Sequence, residues 1–417
     1  MWEISTLGPG QHKTSKWEMK NFNPERVPET CVWFLEHPTF QAWKNRSGND
    51  LLWLTADPGC GKSVLSRALV DEKLVSAEPV TLCHFFFKDN QEQNNTATAL
   101  CAILHQFFCA HDDLLHKHAA PAVKKCGGAM KLEFEELWRI FIAAATDPSA
   151  GSVVCVLDAL DECQKSDRDK LITCLERFYN RLSKSSVPGS KLKFLVTSRP
   201  YSEIGRRFSS LTYDVPTIRL AGEGESEKIS LEIGIVMKAK VEEIAKKRRL
   251  AEDVRSSLHR RLSRVPNRTY LWLHLTLDEV EEGLGKTQKK LLKTINTLPR
   301  TVEEAYEKIL AKCVQEHAKT VLQIILVAQR PLTLSEIDVA LAIEPESTCH
   351  EDLDLEGEQG RKEWLRDACG LFISVVDSRV YLIHQTAKEF LSWHHSIDLH
   401  DANLVLSMKS HSRVIPV

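Results

Sequence analysis

The sequence predicts an α/β fold, in which a parallel sheet carries helices on both faces, followed by a helical domain and a winged-helix-like domain. Three observations support this prediction. Short apolar runs alternate with helical periodicity between residues 51 and 220, which is typical of a parallel sheet covered on both faces. The sequence A-D-P-G-C-G-K-S, residues 56–63, directly follows the first apolar run. After about residue 222 the strand signal fades, and helical patterns precede a final hairpin signal.

Four apolar runs predict the strands of the first domain, at residues 51–55, 80–87, 153–157 and 194–197. Periodic apolar positions predict the helices between them, at residues 63–75, 96–108, 132–145 and 171–182. Short helical segments are expected over residues 31–43, with Pro38 as a break. We therefore place the α/β domain at residues 29–222 and a flexible tail at residues 1–28.

The remainder of the chain predicts two further domains. Helical patterns at residues 229–248, 251–262, 271–280 and 302–313 form a helical domain at 223–316. Helices at 321–328 and 334–343, the second capped by Thr333 or Ser335, precede a polar, acidic insert at 344–359. Two apolar runs at 372–376 and 380–383 then flank a turn, and a last helix covers 384–393. We place a winged-helix-like domain at 317–395 and a tail at 396–417.

Length and composition fit a soluble protein of two or three domains, because 417 residues with 43% hydrophobic and 27% charged side chains are ordinary for such chains. A net charge of -2 offers no basic field to nucleic acid, and the basic run 246–249 is expected to be a solvated helix end. The 12 cysteines contain no C-x-x-C pair, which favours a reduced, cytoplasmic protein without a zinc site. We also expect no membrane span, since no apolar run approaches the required ~20 residues.

Residues 56–63 match the phosphate-binding loop pattern G-x-x-x-x-G-K-[S/T] between a strand and a helix, so we predict a P-loop NTPase sheet. Glycines permit a close backbone approach to phosphate, and the N–H groups of the loop and helix cradle the negative charge. Lys62 is predicted to lie near the β and γ phosphates, and Ser63 to bind Mg²⁺. Ala56 replaces the first consensus glycine, which costs about 1 kcal/mol if a positive φ is needed there. The predicted cradle comprises Pro58, Gly59, Cys60, Gly61, Lys62, Ser63 and Val64.

An acidic motif lies at the end of the third predicted strand, and a motif with an arginine lies at the end of the fourth. Asp158 ends the third strand and is predicted to hold Mg²⁺ through water. Asp161 or Glu162 is predicted to orient or deprotonate the attacking water. Arg199 follows the fourth strand, where ligands gather in open α/β sheets, and is predicted to sense a γ-phosphate. Each motif alone has an ordinary structural explanation, and the P-loop makes the functional interpretation the better one.

The nucleotide is predicted to be ATP or GTP with Mg²⁺. The sequence N-K-x-D, which reads guanine, does not occur, and this favours ATP slightly. His384 begins the last helix, and its residue type alone favours a capping or core role.

These motifs resemble those of fungal NACHT-domain proteins of the STAND class of NTPases, which have the NOD-like receptor architecture of heterokaryon-incompatibility proteins. The resemblance covers residues 29–393. Its carriers are C-V-W-F-L-E-H-P (31–38), D-P-G-C-G-K-S (57–63), L-D-A-L-D-E-C (157–163), T-S-R-P (197–200), Y-L-W-L (270–273) and I-H-Q-T-A-K-E-F-L (383–391). Family members usually have a small residue shortly before the Y-L-W-L motif, whereas this chain has Arg268 there.

The resemblance implies a switch. A nucleoside diphosphate is held between the NTPase, helical and winged-helix parts in a closed state, where His384 approaches the β-phosphate. Exchange for a triphosphate then opens the protein for self-association or for binding signalling proteins. Family members usually carry an N-terminal signalling domain and C-terminal repeats, and neither is visible here, so we expect a receptor core or a partner that supplies these parts.

Three functions were compared. The first is a signalling switch with slow Mg²⁺-dependent hydrolysis. The second is a non-hydrolysing nucleotide-binding scaffold, suggested by Ala56 and by the missing signalling parts. The third, a small-molecule kinase or a nucleic-acid motor, is opposed by the helical and winged-helix domains and by the net charge of -2. We expect no nucleic-acid partner.

Overall fold

The computed structural model describes residues 23–76, 79–126, 133–182, 191–211, 217–220, 226–265, 268–283, 293–312, 315–343 and 353–393. Of the two predicted tails, only residues 23–28 fall within these ranges, and of the acidic insert only residues 353–359 do. The chain forms two compact units, Met1–Ile235 and Val236–Val417. In the part of the chain that the structure describes, no helix is long and apolar enough to cross a membrane.

A five-stranded parallel sheet forms the centre of the first unit, with the strand order β2-β3-β4-β1-β5. The strands are β1 (Asp50–Ala56), β2 (Thr81–Phe86), β3 (Ser152–Asp158), β4 (Lys191–Ser198) and β5 (Thr217–Leu220). All four predicted strands are present. The fifth was missed because an edge strand of four residues carries too little apolar pattern to stand out.

Helices lie before, between and after these strands. They are α1 (Val32–Leu35), α2 (Pro38–Asn45), α3 (Lys62–Asp71), α4 (Thr96–Ala110), α5 (Asp112–Leu114), α6 (Ala120–Cys126), α7 (Phe134–Ala145), α8 (Lys165–Leu182) and α9 (Ser202–Leu211). Pro38 occupies the first turn of α2, where its missing N–H costs nothing, so the predicted break is also a helix start. The structure adds α5, α6 and α9, which were not predicted.

Both faces of the sheet are covered by apolar side chains. Leu51 and Trp53 of β1 belong to one buried cluster, with helices α4 and α7. Leu52 and Leu54 belong to a second cluster, with helices α2 and α3. Alternation of side chains along a strand explains why every residue of β1 is buried, and burial of each leucine contributes about 2 kcal/mol. The predicted α/β architecture is therefore confirmed.

The chain enters the second unit within α10 (Ser226–Arg248), as Ile235 and Val236 both lie inside that helix. Further helices follow: α11 (Glu252–Ser263), α12 (Tyr270–Gly283), α13 (Val302–Lys312), α14 (Gln315–Val327), α15 (Leu334–Ala342), α16 (Glu358–Cys369) and α17 (Gln385–Trp393). A hairpin of β6 (Ile373–Val376) and β7 (Arg379–Leu382) precedes α17. The predicted helical and winged-helix-like elements are confirmed, whereas α16 begins inside the predicted acidic insert.

The hairpin turn has a specific local cause. Asp377 and Ser378 both have positive φ, 49° and 57°, which is the backbone of a two-residue type I′ turn. Thr333 forms an isolated antiparallel bridge with Arg379, so β7 has partners on both sides. Helices α14, α15 and α16 with this hairpin form the winged-helix arrangement, packed around buried Phe372 and Leu365.

Thr333, and not Ser335, caps helix α15. The Thr333 hydroxyl accepts a hydrogen bond from the Glu336 N–H at 3.1 Å, and the Glu336 carboxylate accepts one from the Thr333 N–H at 2.8 Å. These two bonds form a capping box, which satisfies two N–H groups that the helix leaves open.

Substitution of Thr333 by alanine is expected to lower the free energy of unfolding by about 1 kcal/mol, because one of these N–H groups loses its acceptor. Urea denaturation of the full chain, followed by circular dichroism, measures the change. Ser335→Ala is the matched control, since the Ser335 hydroxyl makes only an exposed contact of 3.4 Å with Glu358. Equal effects of the two substitutions would contradict the capping box.

Candidate functional site

The predicted phosphate-binding loop joins the end of β1 to the start of α3. Gly59 has φ of 75° and Gly61 has φ of 82°, in the left-handed region that favours glycine. Gly61 directly precedes the helix, so the first N–H groups of α3 open onto the loop. This is the geometry that the sequence predicted for an anion-binding helix start.

Ala56 does not strain this loop. It is the last residue of β1, is fully buried, and pairs with Leu220 of β5. Its φ is not positive, so the cost of about 1 kcal/mol that we considered for a left-handed alanine does not arise. The missing consensus glycine is therefore no obstacle to a working loop.

Lys62 is folded back over the loop that precedes it. Its Nζ donates hydrogen bonds to the carbonyl oxygens of Ala56, at 2.7 Å, and Asp57, at 3.0 Å. Burial lowers the pKa of Lys62, whereas the nearby carboxylates of Asp161 and Asp158 raise it. The ammonium thus lies on the loop and within the electrostatic influence of Asp161 and Asp158, and phosphate oxygens can replace the two carbonyls as its acceptors.

Asp158 connects the three predicted motifs. Its Oδ1 accepts hydrogen bonds from the Ser66 hydroxyl, at 2.6 Å, and from the Thr197 hydroxyl, at 2.7 Å. The Thr197 hydroxyl oxygen also accepts one from the Ala159 N–H at 2.9 Å. Helix α3, strand β3 and strand β4 are therefore joined through one buried carboxylate. Ser66 was missed by sequence reasoning, although its position one turn after Ser63 was the available signal.

The donors at this point suit Mg²⁺. Asp158 Oδ2 has no hydrogen-bond partner among the described residues, and Ser63 lies half-buried in the first turn of α3. Within the described ranges, no group of three or more histidine, cysteine, aspartate or glutamate side chains could hold a metal. A carboxylate and a hydroxyl are nevertheless enough for Mg²⁺, which keeps several of its waters.

Arg199 and Asp161 form a nearly buried pair. The Arg199 N–H donates to Asp161 Oδ1 at 2.9 Å, and Arg199 Nε lies 3.2 Å from Asp161 Oδ2. Arg199 also donates through Nη1 to the hydroxyl of Tyr201, at 3.2 Å. Both Asp161 oxygens are thus engaged by Arg199, one by its backbone N–H and one by its guanidinium.

Glu162 differs from Asp161 in its surroundings. It is half-buried and ends a short 3-10 turn, Leu160–Glu162, that follows Ala159 in a left-handed conformation with φ of 55°. Its Oε2 accepts a hydrogen bond from the Asp89 N–H at 3.3 Å. Burial raises the pKa of Glu162 to about 7, against the opposing charge of Lys88. A carboxylate with this pKa is suited to accept a proton near neutral pH.

His384 caps helix α17 in the second unit. Its Nδ1 accepts a hydrogen bond from the Thr386 N–H at 3.1 Å and lies 2.9 Å from the Thr386 hydroxyl. That hydroxyl lies 2.9 Å from the hydroxyl of Tyr306. The structure thus shows the capping role, and the approach of His384 to a β-phosphate remains a prediction of the resemblance.

Three family models match the chain. They describe the N-terminal part of nephrocystin 3, at residues 29–199, a domain of unknown function (DUF7069), at 229–298, and the winged helix domain of GPI inositol-deacylase, at 306–401. The first match contains the loop, Asp158 and Arg199. The division into three domains at residues 29–222, 223–316 and 317–395 remains a prediction.

Two curated relatives are similar to this chain. The vegetative incompatibility protein HET-E-1 of Podospora anserina is 26% identical over 373 residues, which cover 88% of this chain and 26% of that protein. The azaphilone pigments biosynthesis cluster protein L of Monascus ruber is 26% identical over 155 residues, covering 35% of this chain and 32% of that protein. The chain therefore spans about a quarter to a third of the length of these relatives.

Among solved structures, the ORC2 protein of Aeropyrum pernix in ADPNP-ADP complexes is 14% identical with a TM-score of 0.38, covering 95% of this chain and 99% of that one. The ORC1 protein of the same organism in complex with DNA also has 14% identity and a TM-score of 0.38, covering 92% and 95%. Similarity this loose fixes neither a ligand nor a partner. The match to the incompatibility protein is more informative, because it extends over 88% of this chain at 26% identity. These comparisons support the resemblance of the chain to fungal NACHT-type NTPases that its motifs predicted.

Proposed function

We propose that this chain is a nucleotide-controlled signalling switch that binds ATP or GTP with Mg²⁺ and hydrolyses it slowly. The nucleotide state controls assembly with further copies or with signalling proteins, in the cytoplasm. The observation that supports this most is the Asp158 carboxylate, which ties the phosphate-loop helix to the ends of β3 and β4. A bound phosphate or metal at this junction acts on three elements at once.

Each residue of the site then has a role. The loop from Pro58 to Gly61 and the N–H groups of Lys62, Ser63 and Val64 surround the phosphates. Ser63 and Asp158 hold Mg²⁺, which neutralises phosphate charge. Arg199 contacts the γ-phosphate, with Asp161 holding its guanidinium in place. Glu162 accepts the proton of the attacking water.

A triphosphate competes with two contacts that the chain makes within itself. Lys62 exchanges the carbonyl oxygens of Ala56 and Asp57 for phosphate oxygens, and Arg199 exchanges part of its pairing with Asp161. Charge-assisted hydrogen bonds to phosphate are stronger than those to neutral carbonyls. These exchanges provide the free-energy difference between nucleotide states that a switch requires.

One experiment tests the proposal as a whole. Nucleotide retained by the purified chain is identified by chromatography, and binding of ATP and GTP is titrated with Mg²⁺. Light scattering then gives the mass with a diphosphate and with a non-hydrolysable triphosphate. Binding together with a larger mass in the triphosphate state supports the switch. Binding with identical masses would rule out nucleotide-controlled assembly of this chain, and no binding would rule out the function altogether.

Substitution of Asp158 by asparagine is expected to remove the effect of Mg²⁺ on nucleotide binding. The wild-type affinity should fall roughly tenfold when Mg²⁺ is chelated, the effect of one lost contact to a charged group. The variant should show the same affinity with and without chelator, since asparagine keeps an acceptor for Ser66 but lacks the charge. Asp112→Asn, which changes an exposed carboxylate, is the control. A variant that still responds tenfold to Mg²⁺ would contradict the assignment of Asp158.

The winged-helix part supports our further proposal that nucleic acid is not a partner. Glu358, at the start of α16, accepts a hydrogen bond from the Ser378 hydroxyl of the hairpin turn at 2.9 Å. The hairpin is joined by Asp377 and Ser378 alone, so its tip is short and acidic. A phosphate backbone gains little from acidic side chains on this face. An electrophoretic shift with random duplex at moderate salt would overturn this view.

A further inference from the structure

Residues 88–94, here called the polar segment, follow β2 and are folded into a defined loop. The Asn90 side-chain oxygen accepts hydrogen bonds from the N–H groups of Glu92, at 3.0 Å, and Gln93, at 3.1 Å. The Gln93 side chain, which is buried, donates to the carbonyl oxygen of Phe86 at 3.2 Å. Side chains of the segment thus hold its own backbone, and this loop is built rather than incidental.

The same segment is bound to the turn that carries Glu162. The Gln164 N–H donates to the Asn94 carbonyl at 2.7 Å, and the Gln164 side-chain amide donates to the Asn94 side-chain oxygen at 3.2 Å. From the other side, the Asp89 N–H donates to Glu162 Oε2 at 3.3 Å. The Gln164 contacts therefore hold the chain that follows Glu162, and the Asp89 contact holds its carboxylate.

Four charged side chains act on Glu162. Lys88, on the polar segment, and Arg199, after β4, favour the charged carboxylate. Burial disfavours the charged form most and raises the pKa of Glu162 to about 7, and Asp161, after β3, and Asp158, at the end of β3, disfavour it further. Lys88 is the stronger of the two favourable charges, and it directly precedes Asp89, whose N–H donates to Glu162 Oε2 at 3.3 Å.

We propose that Asn94 and Lys88 are positioning residues for Glu162, with Asn94 fixing the turn that carries the carboxylate and Lys88 stabilising its charged form. This role rests on the proposed function. In the hydrolytic step, the water oxygen bonds to the γ-phosphorus, and the bond from that phosphorus to the β–γ bridging oxygen breaks. The electron pair leaves with the diphosphate, and the water proton passes to Glu162. Asn94 and Lys88 touch none of the reacting atoms and act through Glu162.

The test compares Asn94→Ala and Lys88→Met in the full chain with the controls Asn45→Ala and Lys124→Met, which change exposed side chains outside the site. Nucleotide affinity, turnover at saturation and the pH dependence of turnover are measured for each variant, and thermal melting verifies folding. We expect Asn94→Ala to lower turnover about tenfold with affinity within about twofold. Lys88→Met should move the midpoint of the pH profile upward, because the carboxylate loses a favourable charge. The controls should behave as wild type.

The outcomes separate this inference from the function on which it rests. Wild-type turnover with unchanged rates and an unchanged midpoint in both variants would overturn the positioning roles and leave the switch intact. A fall in affinity equal to the fall in turnover would also overturn them, since the residues would then act on binding. Binding without any wild-type turnover would overturn the hydrolytic step and these roles together. The double variant Glu162→Gln with Asn94→Ala is then compared with Glu162→Gln alone. Equal residual turnover of the two supports action of Asn94 through Glu162.

Discussion

Replacing Lys62 with alanine is expected to weaken nucleotide binding about a hundredfold, or about 3 kcal/mol, which is typical of lost hydrogen bonds to charged groups. Its ammonium is bound to two carbonyls of the phosphate loop, in a partly buried position where charge interactions are stronger than in water. Isothermal titration with ATP and with GTP in the presence of Mg²⁺ measures the loss directly.

Lys62→Ala needs controls for folding and for the loss of one positive charge. Without the ammonium, the carbonyls of Ala56 and Asp57 lose a donor, so melting of the nucleotide-free protein must be compared with wild type. Lys124→Ala, an exposed lysine of α6, controls for the loss of one positive charge. Lys62→Arg should bind with intermediate affinity, because the guanidinium keeps the charge but differs in shape. Equal nucleotide affinity in wild type and Lys62→Ala would exclude this loop as the binding site.

The position of the loop was predictable from the sequence because its causes are local. A buried strand, glycines at two left-handed positions and a helix start follow one another within β1, the loop and α3. The alternation of apolar runs and helices likewise predicted four of the five strands. Propensity and periodicity act over a few residues, and these features need nothing further.

The contacts that assemble the site were not predictable in the same way. Ser66 and Asp158 are 92 positions apart, and Thr197 and Asp158 are 39 apart, so their hydrogen bonds depend on which strands are neighbours. The order β3-β4-β1 brings them together, and a single sequence does not state that order. The pairing of Asp161 with Arg199 has the same origin. Sequence reasoning therefore named both acids as candidates but had no means to separate them.

The structure distinguishes Glu162 from Asp161, and the proposed hydrolysis depends on the prediction that follows from this. Glu162→Gln is expected to lower turnover by about a hundredfold or more, the usual contribution of a positioned general base, while nucleotide affinity stays within about twofold. The amide keeps the size of the side chain and an oxygen for the Asp89 N–H, but it cannot accept the proton of water. Turnover of saturated enzyme, measured as phosphate release, gives the comparison, with Asp161→Asn as the second variant.

The pH dependence of turnover distinguishes the two acids further. With a pKa of about 7, Glu162 is protonated below pH 7 and charged above it, so wild-type turnover should rise through that range. In Glu162→Gln the residual turnover should be nearly independent of pH in that range.

The same titration is expected to change the free energy of unfolding with pH. The folded chain binds the proton more tightly than the unfolded chain, so wild-type stability falls as pH rises from the ordinary glutamate value of 4.5 towards 7. Glu162→Gln lacks that fall.

Asp161→Asn is expected to act differently, because it releases Arg199 from its partner. Turnover should fall together with the affinity for the triphosphate, while the rise of turnover through pH 7 is retained. If instead Asp161→Asn removes that rise and Glu162→Gln retains it, Asp161 is the base, and the raised pKa of Glu162 has no part in hydrolysis. The pairing of both Asp161 oxygens with Arg199 argues for the first outcome, since those oxygens already hold the backbone and the guanidinium of Arg199.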